Sequence, residues 1–171
     1  MKVFELKEGV SGKLFLLVGT LFFIFCIWYV TRPVLLIETK EGILFSMKAE
    51  SGIKFSTRFI HSVQKTPVEE YFTVNEDCSG FILESTRYRS FGVGLPFLES
   101  DGTFHREGDD FIMDNLNRQI NTLDLRTGVG TELSITINDQ TLPLYDMMPA
   151  GSLVRVSIIQ NYQLWSKNFN D

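Results

Sequence analysis

The segment His61–Glu70 brings together the residue types most able to do chemistry in this chain. Two alternating stretches, Lys54–Val63 and Val68–Val74, flank a short polar connection that ends in Pro67. If that connection is a four-residue loop, His61 lies opposite Glu70 on the inward face, where cross-strand Cβ atoms are about 5 Å apart. Such a pair could serve as an acid–base pair or as half of a metal site. A structural pair, in which Glu70 satisfies the ring of His61, is the interpretation that we favour.

A second group of residues could bind a small organic anion. A predicted strand, Phe81–Phe91, carries two arginines on one face and runs into the glycine-rich loop Phe91–Pro96. Glycine lets backbone N–H groups approach an anion, and two arginines can hold a carboxylate in a fork. A tight corner between sheets is the plainer interpretation of the loop. The candidate binding residues are Arg87, Arg89, Gly92, Gly94, Arg118 and Arg126.

The remaining residues give little support for an enzyme. A metal site built from His61, His105 and a carboxylate is not favoured by the sequence spacing. Ser62 follows His61 directly, and neighbours on a strand point to opposite faces, so they form no nucleophile–base pair. The chain has no zinc-type spacing of Cys and His, no P-loop and no GxSxG elbow. We expect a non-catalytic protein without a metal or cofactor.

Short β segments separated by turn residues must position these side chains. The pattern predicts an all-β fold from residue 33 onward, an antiparallel β-sandwich or partly open barrel of about eight to ten strands. The region Asp109–Ile120 fits either a short helix or a strand, and the pattern leaves this open. Further predicted strands are Val34–Thr39, Ile43–Lys48, Thr122–Arg126, Glu132–Asn138, Thr141–Tyr145 and Leu153–Gln160.

An apolar run, Leu14–Thr31, precedes this region. A helix of 18 to 20 residues covers most of the roughly 30 Å hydrocarbon layer, and Trp28 and Tyr29 suit its boundary. A signal peptide is the chief alternative, but no small-residue cleavage pattern follows the run. We therefore predict a short cytoplasmic N-terminus (1–13), a transmembrane anchor (14–32) and an extracytoplasmic β-domain (33–171). The lysine and arginine counts on the two sides nearly balance, so this orientation follows mainly from signal-anchor logic.

Composition narrows the classes of partner. The chain of 171 residues has a net charge of −5, and its first 13 residues contribute three lysines and two glutamates. The part after the anchor is therefore acidic, which argues against nucleic-acid binding and against lying on anionic lipid. The two cysteines, Cys26 in the apolar run and Cys78 in the domain, do not suggest an internal disulfide.

Two spaced motifs resemble a known bacterial family, the domain-of-unknown-function family 1850. His61-Ser62-Val63-Gln64-Lys65-Thr66-Pro67-Val68-Glu69-Glu70 is similar to its HSV-x-x-TPV-x-E signature, and Phe91–Pro96 is similar to its FG-x-GLP loop. Asn117-Arg118 and Leu125–Thr131 look like its later segments. The resemblance implies a small protein with one N-terminal membrane segment, often encoded beside TRAP transporters of the TAXI type. It implies no catalytic residues. We expect an accessory subunit or assembly factor for a carboxylate transporter, or alternatively a tethered domain that senses a small organic anion.

Overall fold

The computed structural model describes residues 6–90 and 102–168, and within them it contains three helices and twelve β-strands. The helices are α1 (Leu6–Val30), α2 (Leu144–Met147) and α3 (Asn161–Asn168). The strands are β1 (Pro33–Thr39), β2 (Gly42–Lys48), β3 (Lys54–Ile60), β4 (Pro67–Val74), β5 (Phe81–Tyr88), β6 (Thr103–Glu107), β7 (Asp110–Asp114), β8 (Arg118–Ile120), β9 (Thr122–Arg126), β10 (Ser134–Ile137), β11 (Gln140–Leu142) and β12 (Leu153–Gln160).

The strands form two sheets, so the predicted all-β fold preceded by one apolar helix is confirmed. The small sheet has the order β2-β1-β12-β9. The large sheet has the order β11-β10-β3-β4-β5-β7-β6, and β8 pairs with the other end of β5. Among the described residues, every strand pair of the large sheet is antiparallel. Strands β3, β4 and β5 therefore bury alternate side chains, whereas β7 buries the consecutive residues Ile112 and Met113.

The core lies between the two sheets, and this makes the architecture a sandwich. Leu35 and Ile37 of β1 and Val154 and Val156 of β12 pack in one cluster with buried side chains of the large sheet. Those of the large sheet are Phe55, Phe72, Val74, Phe81, Leu83, Ile135, Ile137 and Leu142. Burial of these alternate positions sets which face of each strand points inward.

The structure resolves the element that the sequence left open. Within Asp109–Ile120, Asp110–Asp114 forms β7 and Arg118–Ile120 forms β8, so the strand alternative is correct. Pairing with both β5 and β6 fixes β7 as a strand, because it satisfies the backbone of the segment on two sides. Edge strand β6 was not among the predicted strands.

The apolar helix belongs to a separate compact unit, formed by Met1–Arg32 and Gln160–Asp171, whereas Pro33–Ile159 forms the β unit. Within the described residues, Gly12–Val30 is the one segment whose length and composition suit a membrane span. A membrane anchor and a signal sequence both present such a helix. The backbone N–H of Asn161 donates to the Arg32 carbonyl (2.9 Å), and the rings of Trp165 and Tyr29 lie 6.2 Å apart, which joins α3 to the end of α1.

Candidate functional site

The hairpin β3–β4 carries the first predicted site, but in a different register. Glu70 lies opposite Thr57, and the strand ends at Ile60, so the predicted pair of His61 and Glu70 is wrong. The loop between the strands covers residues 61–66 and is longer than expected, because Pro67 already pairs with Ile60. The shift along β3 is even in number, so it keeps the same side chains on the inward face. Hydrophobic alternation therefore does not distinguish the two registers.

His61 instead stabilises its own loop. Its Nδ1 atom accepts hydrogen bonds from the backbone N–H groups of Val63 (3.3 Å) and Gln64 (3.2 Å). The backbone N–H of His61 donates to the Thr66 carbonyl, and that of Lys65 donates to the His61 carbonyl, both at 2.9 Å. The imidazole thus performs the role that an Asx side chain plays in a turn. It holds the loop in a shape in which the Val63 side chain is 75% exposed.

Glu70 lies in a polar row on the inward face. Its cross-strand neighbours are Thr57 on β3 and Thr86 on β5, and both threonines are fully buried. The Thr57 hydroxyl donates to Glu70 Oε2 at 3.1 Å, whereas Thr86 Oγ1 has no hydrogen-bond partner among the described residues. Burial raises the pKa of the Glu70 carboxyl, while the Thr57 hydrogen bond and the charge of Arg118 act in the opposite direction. The row is a weakly satisfied polar layer within an apolar sandwich.

Substitution of Glu70 by Gln is expected to stabilise the fold at neutral pH. The folded-state pKa of Glu70 is raised, so the unfolded chain loses this proton at a lower pH than the folded chain. The free energy of unfolding of the wild type should therefore fall as pH rises above about 4.3, the ordinary pKa of Glu, through the raised value. Glutamine does not ionise, so it removes this pH-dependent loss of stability. Its side-chain amide can also donate a hydrogen bond to Thr86 Oγ1, and this bond contributes roughly 1 kcal/mol.

Denaturant titrations between pH 4 and pH 8 measure this effect as the difference between the two stability profiles. Glu41→Gln, in the exposed turn between β1 and β2, is the matched control and should leave the profile unchanged. Equal profiles for the wild type and Glu70→Gln would contradict the prediction, because they would mean that the ionised Glu70 carboxylate does not destabilise the folded state.

The two arginines of the predicted anion site do converge, but on carboxylates of this chain. Arg87 Nη2 lies 3.0 Å from Glu107 Oε2, and Arg87 Nη1 lies 3.4 Å from Asp110 Oδ2. Arg89 Nε lies 2.5 Å from the other oxygen of Asp110, and this contact raises the pKa of Arg89. An external anion at this point would have to displace both acidic side chains, which the β6–β7 hairpin supplies.

The other predicted anion-binding residues do not join this cluster. Arg118 lies on β8 opposite Leu83, toward the other end of β5 from Arg87. Arg126 lies on β9 in the small sheet and donates from Nη1 to the Gly151 carbonyl at 2.8 Å. Gly92 and Gly94 lie outside the described residues. The structure therefore brings Arg87 and Arg89 together, whereas Arg118 and Arg126 lie apart from them.

His105 lies on edge strand β6 between two carboxylates. Its Nε2 atom is 3.7 Å from Glu107 Oε1, and its Nδ1 atom is 3.6 Å from Asp114 Oδ2. In the part of the chain that the structure describes, no group of three His, Cys, Asp or Glu side chains is arranged to hold a metal ion. These contacts connect His105 to the same acidic hairpin that engages Arg87.

The outer face of the large sheet carries a row of alternating charge that the sequence analysis did not assign. Arg58, Glu69 and Arg87 are consecutive cross-strand neighbours on β3, β4 and β5. Glu69 lies 3.5 Å from Arg58 Nε and accepts a 2.6 Å hydrogen bond from the Tyr71 hydroxyl. Burial of the phenol, aided by Glu69, raises the pKa of Tyr71 to about 12, so this hydroxyl remains a donor at neutral pH. The alternation along β3 and β4 already predicts that Arg58 and Glu69 point outward. The register of the two strands is needed to know that these residues lie opposite each other.

Comparison with known proteins gives one match. The model of a family described as Domain of unknown function (DUF1850) matches residues 55–144, which include the β3–β4 hairpin and the strands that flank it. Neither a curated protein nor a solved structure matches the chain. The family match covers more than half of the chain, and the protein therefore belongs to the DUF1850 family.

Proposed function

We propose that the protein is a membrane-anchored, non-catalytic accessory subunit or assembly factor of a carboxylate transporter of the TAXI type. In this proposal α1 spans the membrane, the N-terminus is cytoplasmic and the β unit is extracytoplasmic. The observation that carries the proposal is the surface of α1: the side chains from Leu14 to Ile24 are apolar except for Thr20 and are exposed on every face of the helix. A helix that is apolar all round suits lipid or the helices of a membrane partner.

The end of α1 supports the membrane placement. The Arg32 guanidinium lies 3.5 Å from the centre of the Trp28 ring, and Tyr29 contacts Trp165 of α3. Tyr162 of α3 is also exposed. Aromatic rings and arginine gather at the boundary between hydrocarbon and water, because each combines an apolar body with a polar end. This aromatic group therefore suits one membrane surface.

The side chains of the β unit fit a partner-binding role better than the anion-sensing alternative. Arg87 and Arg89 already face Glu107 and Asp110, so the fork expected for a carboxylate ligand is engaged within the chain. His61 is occupied by backbone N–H groups of its loop. An accessory function needs an accessible surface rather than free reactive groups.

Two exposed valines mark the surface that we propose for partner contact. Val63, in the loop 61–66, and Val129, in the loop 127–133, are 75% and 89% exposed. A 2.6 Å hydrogen bond from the Ile60 N–H to the Thr131 carbonyl joins the bases of the two loops. The second loop is also fixed by its side chains, since the Thr131 hydroxyl donates to the Gly128 carbonyl at 2.9 Å. Rigid apolar tips bind a partner with little loss of conformational entropy.

Site-specific photo-crosslinking tests this proposal. A photoreactive phenylalanine at position 63 or 129 of the full-length chain, in its native membrane, is expected to capture a subunit of the transporter. The same residue at Lys40, exposed in the turn between β1 and β2, is the matched control and should give at least about tenfold less product if the partner binds the valine loops. Equal capture at all three positions, or none at positions 63 and 129, would contradict the proposed contact.

A further inference from the structure

A row of hydroxyl side chains crosses the outer face of the large sheet beside the charge row. The register aligns Tyr71 of β4 with its neighbours on both sides, and Thr136 and Thr141 continue the row at the sheet edge with their hydroxyl oxygens 3.0 Å apart. At about 4.8 Å between strands, a row over five strands is roughly 19 Å long. In spatial order it consists of Ser85, Tyr71, Ser56, Thr136 and Thr141.

A cavity of about 510 Å³ opens over the first four residues of this row, from Ser85 to Thr136. Small side chains, Ser56, Ser85 and Thr136, leave room above the strands, while Tyr71 and Lys54 rise beside them. The volume lies within the range of about 300–1,000 Å³ that is typical of small-ligand sites. The cavity is also lined by Glu84, Asn138 and Asp139.

Two irregularities of the backbone place the acidic and amide groups at this cavity. Glu84 is the extra residue of a β-bulge on β5, because Tyr71 lies opposite Ser85 and Phe72 lies opposite Leu83. A bulge re-aims the side chain of the inserted residue, here toward the outer face beside Ser85. Asn138 and Asp139 form the two-residue turn between β10 and β11 with φ of 46° and 65°, the left-handed backbone of a type I′ hairpin.

The charges of the lining decide the class of ligand. The cavity has one cation, Lys54, and two carboxylates, Glu84 and Asp139, so it does not favour an anion. Its two carboxylates accept hydrogen bonds from hydroxyl groups, whereas the Asn138 amide and the serine and threonine hydroxyls both donate and accept them. The hydrogen bond from the Tyr71 hydroxyl to Glu69 (2.6 Å) fixes the phenol ring. Because Tyr71 as a residue is 37% exposed, the ring offers a preorganised apolar surface.

We propose that this cavity binds a neutral polyhydroxylated ring, such as a pyranose, with its hydroxyl groups toward Glu84, Asn138 and Asp139 and its C–H face against Tyr71. This site is independent of the accessory function and goes beyond it, since partner contact through the valine loops uses other residues. A polar polypeptide segment on the same face is the competing occupant that the experiment must distinguish.

Saturation-transfer NMR on the full-length chain, in micelles of a detergent without a sugar headgroup, tests the proposal. The probes are methyl α-D-glucopyranoside and its charged counterpart D-glucuronate. We expect saturation transfer to the neutral probe at millimolar concentration and at least about tenfold weaker binding of the anion. The Tyr71→Ala variant should bind the neutral probe about tenfold more weakly than the wild type.

Tyr145→Ala is the matched control, because Tyr145 is an exposed tyrosine that lines a neighbouring cavity of about 360 Å³ rather than this one. It should bind the neutral probe as the wild type does, and circular dichroism should show both variants folded. Absence of saturation transfer, equal loss in both variants, or tighter binding of glucuronate would overturn the proposal. A photoreactive phenylalanine at position 85 provides the second readout: absence of transfer to the sugar, together with capture of a polypeptide at this position, would overturn the proposal and assign the face to a polypeptide.

Discussion

Arginine at both Leu21 and Ile24 is expected to keep the chain out of the membrane. The two residues lie near the middle of Gly12–Val30, where each arginine costs about 2.5–3.5 kcal/mol on insertion into a bilayer. Together they oppose insertion by about 6 kcal/mol, which is far larger than the effect of any surface substitution. Resistance of the full-length chain to alkaline carbonate extraction measures insertion, and the double variant should appear in the soluble or aggregated fraction.

The control for this experiment keeps the helix apolar. Leu21→Phe with Ile24→Val changes the same two positions without adding charge, and this variant should remain in the membrane fraction like the wild type. The mass of the mature wild-type chain separates an anchor from a signal sequence, because an anchor leaves the N-terminus intact. Full membrane retention of the double-arginine variant would contradict a spanning role for α1.

Truncation of Phe72 to alanine is expected to cause the largest loss of stability in the β unit. The rings of Phe55 and Phe72 stack with centroids 4.9 Å apart, and the Phe81 ring meets Phe55 edge-on at 5.0 Å. All three side chains are buried at the centre of the core cluster. Removal of such a ring costs about 3–5 kcal/mol, from lost transfer free energy and from the cavity that remains. This is a large share of the roughly 5–15 kcal/mol that stabilises a typical domain.

Denaturant unfolding of the full-length chain in micelles, followed by near-ultraviolet circular dichroism, measures this loss. Phe104→Ala is the matched control, because Phe104 lies on edge strand β6 and is partly exposed. We expect it to lower the free energy of unfolding by about 1 kcal/mol. If the two substitutions had similar effects, the Phe55–Phe72–Phe81 cluster would not be the centre of the core.

Short β segments between turn residues were sufficient to predict most strands, including β1, β2 and β4 to within a residue. Alternation placed Phe55, Thr57 and Phe59 of β3 on one face. It was not sufficient for register, since the structure pairs Thr57 with Glu70 without exchanging inward and outward positions. The length of the loop sets that register. Hydrogen bonds to His61 hold the loop, and they form only in a backbone conformation that the residue types of the loop do not specify.

In the candidate sites too, features set by neighbouring residues were predicted, whereas contacts between segments far apart in the sequence were not. The convergence of Arg87 and Arg89 followed from their spacing on the predicted strand Phe81–Phe91, although β5 ends at Tyr88. Their partners Glu107 and Asp110 come from a hairpin some twenty residues away. The bulge at Glu84 has no local sequence signal, because it arises where β4 and β5 pair with unequal numbers of residues. Contacts that depend on strand pairing across long separations are therefore the part that the sequence did not predict.

Purification of the full-length protein from its native membrane after crosslinking, followed by mass spectrometry, tests the central claim most directly. The accessory function predicts that a multi-span transporter subunit or its solute-binding protein is recovered with the chain. The double-arginine variant of α1 should recover neither. Recovery of the wild-type chain alone, under conditions that preserve other membrane complexes, would contradict the accessory function.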